Sequence, residues 1–432
     1  MSYDHPQDKL LNSLHNALEY GASGQPIIRT TTAAGAAGAD GFGRLRVSEP
    51  LTLFDSTHRF TDNDLWTEDT TGTASSAFQA NEGLVHMTVG TAENDEIRRE
   101  TNKVFAYQPG KSLLILTSFV FAAPQANLRQ RVGYFGTENG MYLEQYGSQI
   151  TFVERKFNTG SVVEERDLQA DWNVDPMDGT GPSRITLDFS KAQIMWMDLE
   201  WLGVGTVRVG FIVEGKLHLC HVHYHANVLD TTYMTTGSLP LRQELANFGG
   251  ATTGATMKQI CSSVISEGGY ELRGRQQAIG TPISSPKALT TAGTFYPVVS
   301  IRLKTSPNRL DAIVILTAVS LMGSGSNINY EWRVAAGGTV TGGAWASAGT
   351  NSSVNYNLSG TGHSGGRILA SGYLNSSNQS SPALNILKEA LFKFQLERDT
   401  FTSTPAPLTL LVASGQSSQE CFGSIDWEEI TR

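Results

Sequence analysis

The chain contains 432 residues with a formal net charge of −9, and only 17% of its residues are charged, against about 25% in ordinary soluble domains. An acidic chain lacks the basic stripe that replaces counterions along phosphates, so no direct contact with nucleic acid is expected. The three cysteines are widely spaced without a C-x-x-C pattern, and no apolar run approaches the roughly 20 residues that span a bilayer. The sequence therefore predicts reduced thiols, no membrane insertion and, from its length, two folded domains.

An apolar stripe predicts a short N-terminal helix from Pro6 to Tyr20, with Gly21 just past its end. The following stretch to Asp40 is rich in Gly, Ala and Thr, and it cannot bury enough apolar area to offset the entropy of ordering. Either the body of the same chain or a neighbouring subunit could order this arm, and we expect a neighbouring subunit. The leucines expected to anchor residues 1–40 in an assembly are Leu10, Leu11, Leu14 and Leu18.

The segment from Gly41 to Ser56 reads GFGRLRVSEPLTLFDS and is the most distinctive stretch of the chain. Phe42 belongs to a set of apolar residues that can hold an extended strand against the body. Arg44 and Arg46 alternate outward, where they could pair with acidic groups of the body or of a neighbour. We therefore expect Phe42, Arg44 and Arg46 to complete the assembly anchor.

Residues 41–275 are dominated by short apolar runs of high β propensity, separated by Gly, Asn, Asp and Pro. A meander rich in Trp and His runs from Ile194 to Asn227. Many short strands joined by turns predict a β-sandwich of jelly-roll type. The stretch from Ser238 to Ile265 is ambiguous, and a helix around Leu241 to Phe248 is one interpretation of it.

The line F-G-R-L-R-V-S-x-P-x-T-L-F-D-S followed by this meander resembles a signature of structural proteins of tailed-bacteriophage particles. The resemblance covers roughly residues 41 to 275 and says nothing about the last third of the chain. It implies a virion building block with a sandwich-like body, made in the host cytoplasm and acting in repeated copies beside other virion proteins. Placement in the tail, in a fibre or on the head surface stays open.

The meander carries four of the nine histidines within eight residues, at His218, His221, His223 and His225. A hairpin turn at Glu214-Gly215 would place Arg208 opposite His221, and a turn at residues 203–205 would place Glu200 opposite Arg208. A strand rises about 3.3 Å per residue, so one ion could engage only an adjacent pair of histidines, and the guanidinium would repel it. We therefore predict no metal site but a structural polar ladder of Glu200, Arg208 and His221.

Motifs that look catalytic have simpler interpretations. Gly362 to Gly366 fits G-x-S-x-G, but no strand and helix flank the serine and no histidine follows His363 to complete a hydrolase triad. Paired carboxylates, as at Glu164-Glu165, would have to face one cleft to hydrolyse a glycan, and exposed acidic pairs are far commoner. Tryptophans could stack on sugars but more often fill cores. We therefore predict no catalytic residue, no cofactor and no enzymatic activity.

Residues 276–294 form a Pro, Ser and Thr-rich stretch that predicts a linker, and residues 295–432 predict a second β-sandwich domain. The expected fold is mainly β, with two β-sandwich or jelly-roll-like domains preceded by a short N-terminal helix and an extended arm. The expected function is a non-enzymatic virion component, tail- or fibre-associated and assembled through its arm. The alternatives are a receptor- or glycan-binding module that meets a host surface glycan, and a head-surface fibre or decoration protein.

Overall fold

The computed structural model describes residues 50–249, 253–378 and 394–430, together with two short strands near the N-terminus. Those strands, β1 (Leu18–Tyr20) and β2 (Pro26–Ile28), pair antiparallel. The predicted helix therefore does not reach Tyr20, because Leu18–Tyr20 pairs as a strand with Pro26–Ile28. The rest of that helix, with Leu10, Leu11 and Leu14, and the predicted anchor residues Phe42, Arg44 and Arg46 lie outside the described residues.

The described part of the chain is mainly β, as predicted, and contains no α-helix. No helix within it is long and apolar enough to cross a bilayer. The strands build two units, each around its own hydrophobic core. We call residues 50–274 the N-terminal unit and residues 275–430 the C-terminal unit.

The N-terminal unit consists of two antiparallel sheets that enclose one core. The seven-stranded sheet has the order β12-β11-β10-β9-β16-β7-β4, and the eight-stranded sheet has the order β15-β14-β13-β8-β17-β6-β5 with β3 beside β17. The strands are β3 (Leu51–Ser56), β4 (Trp66–Thr71), β5 (Ser75–Gln79), β6 (Leu84–Val89), β7 (Asp95–Thr101), β8 (Ser112–Val120), β9 (Leu128–Phe135), β10 (Gly140–Tyr146), β11 (Gln149–Lys156), β12 (Val163–Leu168), β13 (Gln193–Leu199), β14 (Val207–Val213), β15 (Lys216–His223), β16 (Leu241–Asn247) and β17 (Ala255–Glu267). A 3-10 turn spans Gln169–Asp171.

The helix considered around Leu241 to Phe248 is wrong, because Leu241–Asn247 form the interior strand β16. Its sequence, LRQELAN, consists largely of good helix formers. Pairing with β7 and β9 on both sides overrides that local preference. Leu241 and Leu245 then face the core, while Arg242 and Glu244 on the opposite face make ion pairs.

The C-terminal unit is also built from packed antiparallel strands. A six-stranded sheet has the order β24-β25-β20-β30-β22-β27, and a four-stranded sheet is formed by β18, β31, β19 and β21. The strands are β18 (Arg275–Gly280), β19 (Lys287–Leu289), β20 (Tyr296–Leu303), β21 (Val314–Gly323), β22 (Asn329–Ala336), β23 (Thr339–Thr341), β24 (Ala346–Ser347), β25 (Val354–Asn357), β26 (Gly362–Ser364), β27 (Arg367–Asn375), β28 (Arg398–Asp399), β29 (Thr404–Pro405), β30 (Leu408–Ser414) and β31 (Gln419–Glu429), with a 3-10 turn at Ser376–Asn378.

Part of the predicted linker at residues 276–294 is built into this unit. Strands β18 and β19 both pair with β31, so the stretch adds two strands to a sheet instead of running free between domains. Leu289 is fully buried in the core of the C-terminal unit. The local composition, rich in Pro and Ser, does not predict strands here. Pairing with β31, about 140 residues further along the chain, stabilises them.

The two units are joined by a small apolar cluster and by buried polar contacts. The buried members of the cluster are Val104, Ala106, Tyr270, Ile313 and Ile315. Beside it, Arg398 of the C-terminal unit donates to the Glu100 carboxylate at 2.6 Å and to the Thr101 carbonyl at 2.7 Å. Gln395 donates to the Val104 carbonyl at 2.9 Å. These contacts, made by residues of strands and loops, fix one unit against the other.

Candidate ligand-binding groove and histidine cluster

The predicted ladder of Glu200, Arg208 and His221 does not form. The hairpin turn is where the sequence places it, since Val213 pairs with Lys216. A bulge at Cys220 on β15 then shifts the register, since Gly210 pairs with Leu219 but the next residue, Val209, pairs with His221. Arg208 consequently lies opposite Val222. Arg208 and His221 therefore point to opposite faces of the sheet. Gly210 on the facing strand was the available signal, because a glycine inside a strand marks a bulge or a close approach of another backbone.

The other half of the predicted ladder is wrong by two residues. Asp198 on β13, not Glu200, lies opposite Arg208, and the two side chains form a buried ion pair. Glu200 falls beyond the end of β13, where its backbone N–H donates to the Thr206 carbonyl. The predicted three-residue turn does not form. The connection from β13 to β14 is longer, and within it the Gly205 N–H donates to the carbonyl of Trp201.

The shifted register turns two histidines into the space between the sheets. His221 and His223 lie at successive inward positions of β15, and their ring centroids are 4.5 Å apart. Asp167 approaches them from β12 of the facing sheet, with its Oδ2 atom 3.6 Å from His221 Nε2 and 3.5 Å from His223 Nδ1. Asp167 could not be predicted as a neighbour of these histidines, because it lies more than 50 residues before His221 in the sequence.

The Asp167, His221 and His223 cluster has spacings close to those of a metal site, since ligands on a tetrahedral zinc ion lie about 3.4 Å apart. The hydrogen bonding argues against such an ion. The backbone N–H of Asn173 donates to His221 Nδ1 at 3.2 Å, which leaves the proton of a neutral ring on Nε2, the atom that faces Asp167. Burial lowers the pKa of His221, and it lowers that of His223 to about 3. The absence of a metal remains a prediction.

A third histidine of the meander is held in a separate set of contacts. His225 Nδ1 lies 2.6 Å from the Gly205 carbonyl and its Nε2 lies 2.6 Å from a carboxylate oxygen of Glu154. The ring stacks on Tyr233 at 3.7 Å between centroids. Burial alone would raise the pKa of Glu154, but the hydrogen bond with His225 and the neighbouring Lys156 hold it below its ordinary value. These contacts tie a loop to the core of the N-terminal unit.

The outer face of the seven-stranded sheet carries a lattice of ion pairs. Arg131 on β9 pairs with Glu144 on β10 at 2.7 Å and with Glu244 on β16 at 3.3 Å. Arg155 on β11 pairs with Glu164 on β12 at 2.8 Å. Charged residues at alternate positions of β9 and β16, Arg129 and Arg131 in one and Arg242 and Glu244 in the other, are the sequence signal for this face.

A groove opens where this face meets the C-terminal unit. It consists of a cavity of about 610 Å³ and a second cavity of about 350 Å³, and Thr137 and Thr400 line both of them. Hydroxyl and amide side chains from loops of the two units surround the wider part, and these include Asn139, Thr235, Thr236, Ser238, Asn308 and Ser403. Arginines surround the narrower part. Hydrogen-bonding groups, not apolar side chains, therefore dominate the groove.

The motifs considered for catalysis do not assemble into reactive sites within the described residues. Ser364 ends the short strand β26, and His363 on the same strand contacts the Gly337 carbonyl, so no strand-to-helix turn presents the serine. Glu164 pairs with Arg155 while its neighbour Glu165 pairs with Lys156. Four of the tryptophans suggested as sugar platforms are buried, namely Trp66, Trp172, Trp332 and Trp427.

No protein-family model and no curated protein matches this sequence. Among solved structures, a prokaryotic β-1,3-1,4-glucanase (lichenase) from a mouse hindgut metagenome is 12% identical, with 49% of this chain and 97% of that chain covered at a TM-score of 0.34. The CBM2 module of an evolved Dit of Lactobacillus casei BL23 phage J-1 is 8% identical, with 52% and 99% covered at a TM-score of 0.33. A protein of unknown function from Shewanella oneidensis MR-1 is 12% identical, with 63% and 98% covered, also at 0.33. Similarities this low carry no argument about function.

Proposed function

We propose that this chain is a non-enzymatic structural component of a tailed-bacteriophage particle, tail- or fibre-associated, that assembles through residues 1–40. The signature that carries the resemblance ends in the sequence LTLFDS, which forms β3. This strand pairs with β17, and Phe54 is buried in the core. A segment anchored in this way can transmit force from a docked arm directly into the body.

The joint between the two units supports the same proposal. Arg398 is almost completely buried, and it contacts both Glu100 and Asp311. Separating the members of such a pair costs free energy, because it leaves a buried charge without compensation, and this opposes any other relative arrangement of the two units. A part that must hold its shape among neighbouring subunits needs such a joint.

The proposal is tested by complementing a phage whose own copy of the gene is inactivated. A chain without residues 1–40 should fold with an unchanged circular dichroism spectrum and melting temperature but be missing from purified particles. A double change of Leu11→Asp and Leu14→Asp on the predicted apolar stripe should have the same effect, whereas Asn12→Asp should not. Normal incorporation of the shortened chain would refute assembly through the arm.

A second candidate function, saccharide binding, is favoured by the groove between the units. Thr137, Thr235 and Asn308 are exposed at its walls and offer hydroxyl and amide groups from three separate loops. Saccharides are recognised by several directed hydrogen bonds, which a polar groove of about 610 Å³ can supply. Under this proposal the particle component also contacts a glycan on the host surface.

Saccharide binding is tested with the full chain on an array of bacterial surface glycans. Thr137→Trp would place a large ring where the two cavities meet, and it should abolish any signal. Ser284→Trp, an exposed change elsewhere on the C-terminal unit, is the matched control and should leave the signal intact. Signal that survives Thr137→Trp would place the binding site outside the groove.

A further inference from the structure

The narrow end of the groove differs from the wide end in its charge. Five guanidinium groups line this cavity of about 350 Å³, from Arg98, Arg129, Arg131, Arg155 and Arg242, against two carboxylates, Glu96 and Glu244. Phe401 of the C-terminal unit also lines it and lies against Arg98 and Arg242. The cavity surface thus carries more positive than negative groups.

Three of these arginines already have close partners in the ion-pair lattice. Arg131 lies 2.7 Å from Glu144, Arg155 lies 2.8 Å from Glu164, and Arg242 lies 2.8 Å from Glu244. Their side chains are less than 10% exposed. Their charges are therefore compensated within the sheet, and their role is structural.

Arg129 is compensated less well than its neighbours. Its nearest carboxylates, Glu96 and Glu244, lie 3.5 and 3.8 Å away. Its Nε atom is buried and has no hydrogen-bond partner among the described residues. Burial, and then the charge of Arg131, lower the pKa of Arg129, which means that the cation is held at a cost. The side chain is 21% exposed, so it remains accessible from the groove.

We infer that the narrow end is a subsite for the anionic group of an acidic saccharide, with Arg129 as the main contact. A carboxylate or phosphate there would accept charge-assisted hydrogen bonds from a guanidinium whose nearest acceptor, a carboxylate oxygen of Glu96, lies 3.5 Å away. The neutral part of the same saccharide would occupy the wider cavity, which adjoins at Thr137 and Thr400. This inference rests on the saccharide binding proposed above and specifies its ligand class.

Three probes test the inference by calorimetric titration of the full chain. They are trigalacturonic acid, its fully methyl-esterified and therefore neutral form, and a mannose oligomer carrying one phosphate. One charge-assisted hydrogen bond contributes about 1.5–3 kcal/mol, so at least one acidic probe should bind about 10- to 100-fold more tightly than the neutral ester. The comparison of carboxylate with phosphate identifies which anion the subsite accepts.

The variant Arg129→Gln should reduce affinity for the preferred acidic probe to that of the neutral ester, with an unchanged melting temperature. Arg333→Gln, a partly exposed arginine of the C-terminal unit, should change nothing. Equal binding of acidic and neutral probes would overturn the anionic subsite while leaving saccharide binding intact. Binding of none of the probes would overturn both, and acid-selective binding that survives Arg129→Gln would overturn the role of Arg129.

Discussion

Replacing Arg398 by Met should destabilise the protein more than any single surface change, because Arg398 compensates a buried charge at the joint between the units. Its guanidinium lies 2.6 Å from Glu100 and 3.0 Å from Asp311. Asp311 is 67% exposed and would return to water, but Glu100 is only 1% exposed and would stay buried. Arg242, at 3.3 Å, would then be its remaining cationic neighbour.

The size of the expected loss of stability follows from this difference in exposure between Asp311 and Glu100. Removing one member of a buried ion pair typically costs about 3–5 kcal/mol, since the other charge is left without compensation. Burial already raises the pKa of Glu100 above its ordinary value, and losing Arg398 would raise it further. A carboxyl group whose folded pKa is raised favours folding at low pH and loses that contribution as pH rises through the folded pKa. The loss in free energy of unfolding caused by Arg398→Met should therefore be smaller at pH 5 than at pH 7.

The free energy of unfolding can be measured by urea titration with tryptophan fluorescence. The matched control is Arg367→Met, because Arg367 pairs with Glu397 at 2.9 Å but is 40% exposed, and such pairs contribute about 0–1 kcal/mol. Adding Glu100→Gln to Arg398→Met removes the stranded charge and should restore about 2 kcal/mol. A loss below about 1 kcal/mol for Arg398→Met, or no rescue by the second change, would refute the proposed source of rigidity.

Three further outcomes are expected. The melting temperature should fall as pH drops below 6.5, because burial lowers the pKa of His223 to about 3 and the unfolded chain takes up a proton that the folded chain does not. For this residue the free energy of unfolding changes by at most about 1.4 kcal/mol per pH unit. His223→Gln should make this pH dependence weaker. Gly210→Ala should yield little folded protein in a soluble-expression assay, because an added Cβ would lie 1.9 Å from the His218 carbonyl oxygen. Ellman's reagent should modify the half-buried Cys261 first. It should reach Cys421 only after unfolding, because burial raises the pKa of that thiol to about 12.

The β character of the chain could be predicted because it depends on local sequence. Apolar runs such as Ser112–Val120 alternate buried and half-buried positions along β8, as their pattern requires. The hairpin at Glu214-Gly215 was also predictable, since both residues adopt the positive φ angles that a tight primed turn demands. Each of these features is settled by residues within a few positions of one another.

The sheet face on which the histidines lie and the set of residues that line the groove could not be predicted in this way. A single bulge at Cys220 places His221 on the face opposite Arg208, and Asp167 approaches His221 from a strand of the other sheet. The groove gathers loops around Thr137, Thr235, Asn308 and Thr400. Successive side chains of a strand point to alternate faces of the sheet, so one extra residue moves all the following side chains to the other face. Contacts between distant segments depend on how whole sheets pack, which no short stretch of the sequence encodes.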